Sequence, residues 1–86
     1  MAAGTGALKV SVISPEATLF EGQAPSVTAP AFDGEVGILP SHAPMVTTLG
    51  KGVLRIGDGA TFTVEGGFLQ VVDDVVRVVT EHAAKA

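Results

Sequence analysis

Apolar and polar residues alternate with a period of two along most of this chain of 86 residues. In the first such segment, Leu8, Val10 and Val12 would share one face of a strand, and the polar residues between them the other. Turn signals interrupt the pattern at intervals of about 8–12 residues, which is typical of β-sandwiches and barrels. We therefore predict one small all-β domain over residues 1–86, with about eight or nine short strands.

Two β-hairpins are predicted in the second half of the chain. Residues 57–60, with the sequence Gly-Asp-Gly-Ala, separate the first pair of alternating segments, and Asp73-Asp74 separate the second. Glycine and aspartate tolerate the positive φ angles of tight hairpin turns. Gly66 and Gly67 lie between the hairpins, where we expect a bulge or a crossing of the chain from one sheet to the other.

The last strand segments are apolar on both faces. Val75 and Val79 point to one side, and Val76 and Val78 point to the other. A strand of this kind must be covered on both sides, whereas a small sandwich covers only one of them. We therefore expect a partner protein to cover the outward side.

The two ends of the chain carry weaker signals. The side chains of residues 1–7 are small and uncharged, and we expect a disordered or irregular start there. Residues 80–86 are rich in alanine and contain glutamate and lysine, which favour helix. So short a segment does not hold a helix alone, and we expect a short tail.

Charge and composition disfavour several classes of function. The net charge is −4, the five basic residues form no stripe, and tryptophan and tyrosine are absent, so nucleic-acid binding is disfavoured. No apolar run approaches the roughly 20 residues of a membrane helix, and we expect no insertion into a bilayer. The start lacks the basic and apolar regions of a signal peptide, which favours a cytoplasmic protein. Cysteine is absent, which excludes disulfides and thiolate zinc sites.

Residues 34–45, with the sequence GEVGILPSHAPM, are the strongest candidate for a functional segment. Two glycines and two prolines specify a rigid, bent path, and we expect a shaped loop from residue 34 to residue 44. Asp33, Glu35 and His42 could in principle bind a metal or move protons there. The simpler interpretation is a solvated Glu35 and a His42 that pins the loop, contacts a partner, or does both.

We expect no catalytic residue, metal or cofactor, because the chain has only two histidines and no recognisable nucleophile arrangement. The residues alone leave two alternatives open. One is a free-standing β-sandwich that binds a peptide or a carbohydrate. The other is a small hydrolase or metalloenzyme that uses Asp33, Glu35 and His42.

In the order of its motifs the chain resembles the N-terminal domain of the epsilon subunit of the rotary F-type ATP synthase, whose mitochondrial equivalent is called delta. The resemblance rests on GEVGILPSHAPM and on four further segments, LKVSVISPE at 8–16, LFEG at 19–22, GVLRI at 52–56 and GGFLQV at 66–71. It implies a flattened sandwich of two sheets with about eight to ten short strands. It also implies a non-catalytic subunit of the central stalk, which couples the gamma subunit to the c-ring in proton-driven or sodium-driven ATP synthesis.

The resemblance further implies partners, a location and site residues. The partners are the gamma subunit and the polar loops of the c-ring, and the location is peripheral, at the cytoplasmic face of the bacterial inner membrane. By matching position, the expected c-ring contact consists of Glu35, Gly37, Ile38, Pro40 and His42. For the gamma contact, the doubly apolar strands indicate Val75, Val76, Val78 and Val79.

Members of this family usually continue into a helical hairpin, which inhibits ATP hydrolysis in many of them and binds ATP in some. This sequence ends at Ala86, just past the sandwich, and we expect the hairpin to be absent. A phosphate-binding loop is missing from the sequence as well. We therefore predict that this chain does not bind ATP by itself.

Overall fold

The computed structural model describes residues 7–57 and 59–85, and every regular element within them is a strand. This confirms the all-β prediction. We expect an irregular start at residues 1–7, and residues 1–6 of it lie outside the described residues. Asp58 of the first hairpin turn and Ala86 of the tail also lie outside them. The eight strands are β1 (Leu8–Ile13), β2 (Thr18–Ala24), β3 (Val27–Ala31), β4 (Gly34–Ile38), β5 (Met45–Thr48), β6 (Lys51–Ile56), β7 (Ala60–Val72) and β8 (Val75–Lys85).

The strands form a continuous hydrogen-bonded array in the order β2-β1-β8-β7-β6-β3-β4, with β5 paired to β7. All of these pairings are antiparallel except that of β1 with β8, which is parallel. Parallel neighbours need a crossover connection between them, and here the rest of the domain provides it. The first and last strands of the described chain therefore lie side by side.

β7 and β8 are long strands that bend in the middle and take part in both layers of a sandwich. The first half of β7 pairs with β6, and its second half pairs with β5. The bend lies at Gly66 and Gly67, whose φ angles are +77° and +103°. The buried face changes there, from even-numbered residues such as Val64 to odd-numbered ones such as Leu69. Of the two alternatives expected at these glycines, a bulge or a crossing between sheets, the structure shows the crossing, and the pairing of β7 with β8 keeps one register through it.

The two layers enclose one apolar core, to which both parts of the strand array contribute. Leu8, Val10 and Val12 of β1 are buried, as their alternation predicts. Branched aliphatic side chains dominate this core and suit the pleated surface of a sheet. Its other members are Ala24, Val27, Ala29, Ile38, Leu49, Leu54, Ile56, Phe62, Val64, Leu69, Val71, Val76 and Val78.

Residues 34–44 do not form the single shaped loop that the sequence predicts. Residues 34–38 form β4, which pairs with β3 from Ala31↔Gly34 to Val27↔Ile38. Only residues 39–44 are a loop. Glycine weakens the period-two signal of a strand because it has no side chain to place on either face, and this segment contains two.

The end of the chain also differs from the expected short tail. Residues 80–85 continue β8 and pair with β7, from Gly67↔Thr80 to Phe62↔Lys85. The buried Thr80 hydroxyl donates a hydrogen bond to the His82 carbonyl oxygen at 2.9 Å. The local preference for helix gives way here because strand pairing satisfies the backbone groups and a single short turn of helix would not.

Candidate functional site

β4 carries the acidic part of the predicted contact and lies at one end of the strand order. Glu35 and Gly37 are exposed on this strand, opposite Pro30 and Thr28 of β3. Ile38, the last residue of β4, is fully buried in the core. Ile38 therefore anchors the strand and does not reach the surface, so it cannot touch a partner while the domain is folded.

The loop at residues 39–44 carries the histidine of the predicted contact. Pro40 and His42 are half-buried there, and His42 Nδ1 lies 2.7 Å from the carbonyl oxygen of Ala43. Ser41 adopts a φ of +68°, and its backbone N–H donates to Asp74 Oδ1 at 2.6 Å. The imidazole thus makes a local contact that helps to shape the loop, and Asp74 joins the loop to the β7–β8 turn.

The three residues considered for metal binding do not assemble into a metal site. Asp33 lies in the turn before β4, Glu35 lies on the strand and His42 lies in the loop that follows it. Within residues 7–57 and 59–85, no group of three His, Cys, Asp or Glu side chains comes close enough together to hold a metal ion.

The four valines of the predicted gamma contact divide between the two faces of β8. Val76 and Val78 are fully buried in the core. Val75 is 42% exposed, and Val79 is half-buried on the same outward face. Only Val75 and Val79 are therefore able to meet another protein, while Val76 and Val78 hold the strand to the core.

Neighbouring strands extend this outward face into a larger apolar surface. Val75 pairs with Val72, and Val79 pairs with Phe68 on one side and Ile13 on the other. Side chains of paired residues lie on the same face of a sheet, and Phe68 and Val72 are each 40% exposed. We name the five residues Ile13, Phe68, Val72, Val75 and Val79 the outer patch.

Phe68 and Val72 are functional candidates that the sequence analysis does not identify, although the signal for them is present. A two-residue turn fixes the register of a hairpin. Asp73 and Asp74 form such a turn, so the residue on each side of it, Val72 and Val75, must face one another. Counting outward from the turn in steps of two then brings Phe68 opposite Val79.

No helix long and apolar enough to cross a membrane occurs in the part of the chain that the structure describes.

Residues 7–86 match the family described as ATP synthase, Delta/Epsilon chain, beta-sandwich domain. The ATP synthase epsilon chain of Leptospira borgpetersenii serovar Hardjo-bovis is 50% identical over 80 residues, which are 90% of this chain and 63% of that protein. The ATP synthase epsilon chain of Caulobacter vibrioides is 40% identical over 82 residues, which are 92% of this chain and 95% of that protein. The chain therefore spans a little under two thirds of the first relative and nearly all of the second.

Two solved structures share the fold. A chain of the Euglena gracilis mitochondrial ATP synthase, solved as OSCP/F1/c-ring, has a TM-score of 0.83 at 24% identity and matches 91% of this chain and 52% of its own length. A chain from the central stalk/c-ring structure of the Tetrahymena thermophila mitochondrial ATP synthase has a TM-score of 0.75 at 16% identity, with 90% and 65% matched. At these identities the likeness establishes the fold alone.

The family match covers the whole sandwich, from β1 to the end of β8. The relatives at 50% and 40% identity are both named ATP synthase epsilon chain. On these grounds the chain belongs to the β-sandwich family of the ATP synthase delta and epsilon chains.

Proposed function

We propose that this chain is a non-catalytic subunit of the central stalk of an F-type ATP synthase, where it couples the gamma subunit to the c-ring. The observation that carries the proposal is the family match over residues 7–86, together with 50% identity to an ATP synthase epsilon chain. In such a complex the chain transmits torque and holds a joint between subunits, and ATP is made elsewhere. Its location would be peripheral, at the cytoplasmic face of the bacterial inner membrane.

The outer patch is the surface that we assign to the gamma subunit. Its apolar side chains remain partly exposed in the isolated domain, and covering them removes apolar surface from water at about 25 cal/mol per Å². Gln70 and Arg77 pair with one another between the two apolar rows of the patch. A partner with a mainly apolar face and a few polar groups would complement this arrangement.

The exposed side of β4 and the loop at residues 39–44 are the surface that we assign to the polar loops of the c-ring. Glu35, Gly37, Pro40 and His42 remain the candidates for direct contact, and Ile38 supports them from the core. An exposed ion pair between Glu35 and a basic loop residue would add only about 0–1 kcal/mol. Such a pair chiefly fixes orientation and register.

Binding to the gamma subunit is tested by sedimentation velocity of the full chain with a purified bacterial gamma subunit. We expect association at micromolar concentration, weakened at least about tenfold by Val75→Glu, because the charge is buried in the interface. Val53→Glu is the matched control, since Val53 is 44% exposed on β6, away from the outer patch. Absence of association, or equal weakening by both variants, would contradict this assignment.

Coupling to the c-ring is tested in an assembled bacterial ATP synthase that contains this chain, in inverted membrane vesicles. We expect Glu35→Lys to lower proton pumping per ATP hydrolysed while the isolated domain stays folded. Glu16→Lys makes the same charge change in the exposed turn between β1 and β2 and should leave pumping unchanged. Unfolding of the isolated Glu35→Lys domain would instead assign Glu35 a structural role.

A further inference from the structure

We infer that Asp74 is a positioning residue that ties the loop at residues 39–44 to the β7–β8 turn and so joins the two surfaces assigned to the c-ring and the gamma subunit. This inference rests on the proposed function for the identity of the two partners. The tie itself depends only on the geometry around Asp74.

Asp74 connects three segments that are far apart in the sequence. Its side-chain Oδ1 accepts a hydrogen bond from the backbone N–H of Ser41 at 2.6 Å. Its backbone carbonyl accepts one from the N–H of Lys9 at 2.8 Å. The residue therefore holds the 39–44 loop, the β7–β8 turn and the start of β1 against one another.

The bond to Ser41 is the principal polar tie of this loop. Pro40 and Pro44 have no N–H to donate, and the hydrogen bond of His42 to Ala43 stays inside the loop. Among the backbone-to-backbone hydrogen bonds outside the strands in the described residues, none involves residues 39–44. A carboxylate that accepts from an N–H makes a stronger bond than a neutral acceptor does.

The backbone conformations at both ends of this bond need support from their surroundings. Ser41 has a φ of +68° and Asp74 a φ of +62°, in the left-handed region that residues other than glycine rarely adopt. Such conformations persist where the surrounding structure fixes them. The hydrogen bond between the two residues supplies that constraint for the loop, because Asp74 is itself held in the hairpin turn.

The position of the bond gives it a consequence for coupling. Ser41 directly precedes His42 of the c-ring surface, and Asp74 directly precedes Val75 of the outer patch. The hydrogen bond and two adjoining peptide units thus give load a direct route from one surface to the other, beside the route through β5, which pairs with β7. Removal of the carboxylate should leave both surfaces intact and loosen the connection between them.

Three variants of the full chain test the tie by amide hydrogen exchange. Asp74→Gly keeps the positive φ without strain and removes the acceptor, whereas Asp74→Asn retains an oxygen at the same position. Asp73→Gly is the matched control, because Asp73 is the other turn residue and has a φ of +51°. We expect exchange at the Ser41 amide to rise about tenfold or more in Asp74→Gly only, with strand amides unchanged. An unchanged rate in Asp74→Gly, or no rescue by Asp74→Asn, would overturn the tie.

The role in coupling is tested with the same variants in the assembled ATP synthase. We expect Asp74→Gly to lower proton pumping per ATP hydrolysed, Asp74→Asn to restore it, and all three variants to bind the gamma subunit as the unaltered chain does. Faster Ser41 exchange with unchanged pumping would overturn the joining of the two surfaces. Failure of the unaltered chain to bind gamma would overturn the proposed function, while the exchange experiment would still decide whether Asp74 holds the loop.

Discussion

Gly67→Ala should be the most damaging small substitution at the bend of the sandwich. Gly67 has a φ of +103°, outside the conformations that alanine readily adopts. An added β carbon would overlap the carbonyl oxygen of Val79 and would lie 2.7 Å from the Cα of Thr80. Both atoms belong to the backbone of β8, which cannot swing away as the end of a long side chain could.

Two separate costs determine how much Gly67→Ala lowers the free energy of unfolding. A residue held in a sparsely populated backbone conformation costs about 1–3 kcal/mol. Forcing an extra carbon into a packed site costs typically about 1–3 kcal/mol more, through displacement of its neighbours. A domain of 86 residues has a free energy of unfolding of about 4–13 kcal/mol. Gly67→Ala should therefore remove about 2–6 kcal/mol, a large part of that stability.

Substitutions at two other glycines separate the cost of the backbone conformation from the cost of crowding. Gly34 has a φ of +137° with nothing within 4 Å of an added β carbon, so Gly34→Ala should show the backbone cost alone. Gly37 has open space and no positive φ, so Gly37→Ala should be neutral or slightly stabilising. The measurement is urea unfolding followed by far-ultraviolet circular dichroism, since the chain has no tryptophan or tyrosine to serve as a fluorescent probe. If Gly67→Ala unfolds at the same urea concentration as Gly37→Ala, then the bend does not require glycine.

Three further predictions use equilibrium measurements on the isolated chain. Leu69→Ala should lower the free energy of unfolding by about 2–5 kcal/mol because Leu69 is fully buried. Val75→Ala on the outer patch should lower it by less than about 1 kcal/mol. Equal losses would contradict the placement of Leu69 in the core and of Val75 on the surface. Thr80→Val should lower the free energy of unfolding by about 0.5–1.5 kcal/mol through the lost hydrogen bond to His82. An unchanged or raised free energy of unfolding would contradict this prediction. Titration calorimetry with ATP should give no saturable heat. Tight binding would contradict the prediction that this chain does not bind ATP by itself.

Local features of the fold could be predicted from the sequence because each depends on residues that are close along the chain. The alternation in β1 correctly predicts that Leu8, Val10 and Val12 face the core. The turn at Asp73 and Asp74 is equally local. Both residues have positive φ angles, +51° and +62°, which is the backbone of a two-residue hairpin turn.

Features that join distant segments could not be predicted in this way. The parallel pairing of Lys9 with Val75 and the hydrogen bond from Ser41 to Asp74 connect residues that no local pattern relates. The inward orientation of Ile38 has the same origin, since pairing with Val27 places it over the core. The motif therefore predicts a candidate segment, and the strand register decides which of its side chains reach the surface.

The way in which the two layers are joined fits the torque transmission that we propose for this domain. Layers joined by side-chain packing alone can slide, since shear requires only small shifts of packed side chains. Here β7 and β8 run through both layers and stay paired with one another on each side of the bend, from Phe62↔Lys85 to Val72↔Val75. Sliding would therefore bend two strands at once and break their shared hydrogen bonds. The outer patch lies on these same two strands and β1, so a load applied there acts directly on the elements that hold the layers together.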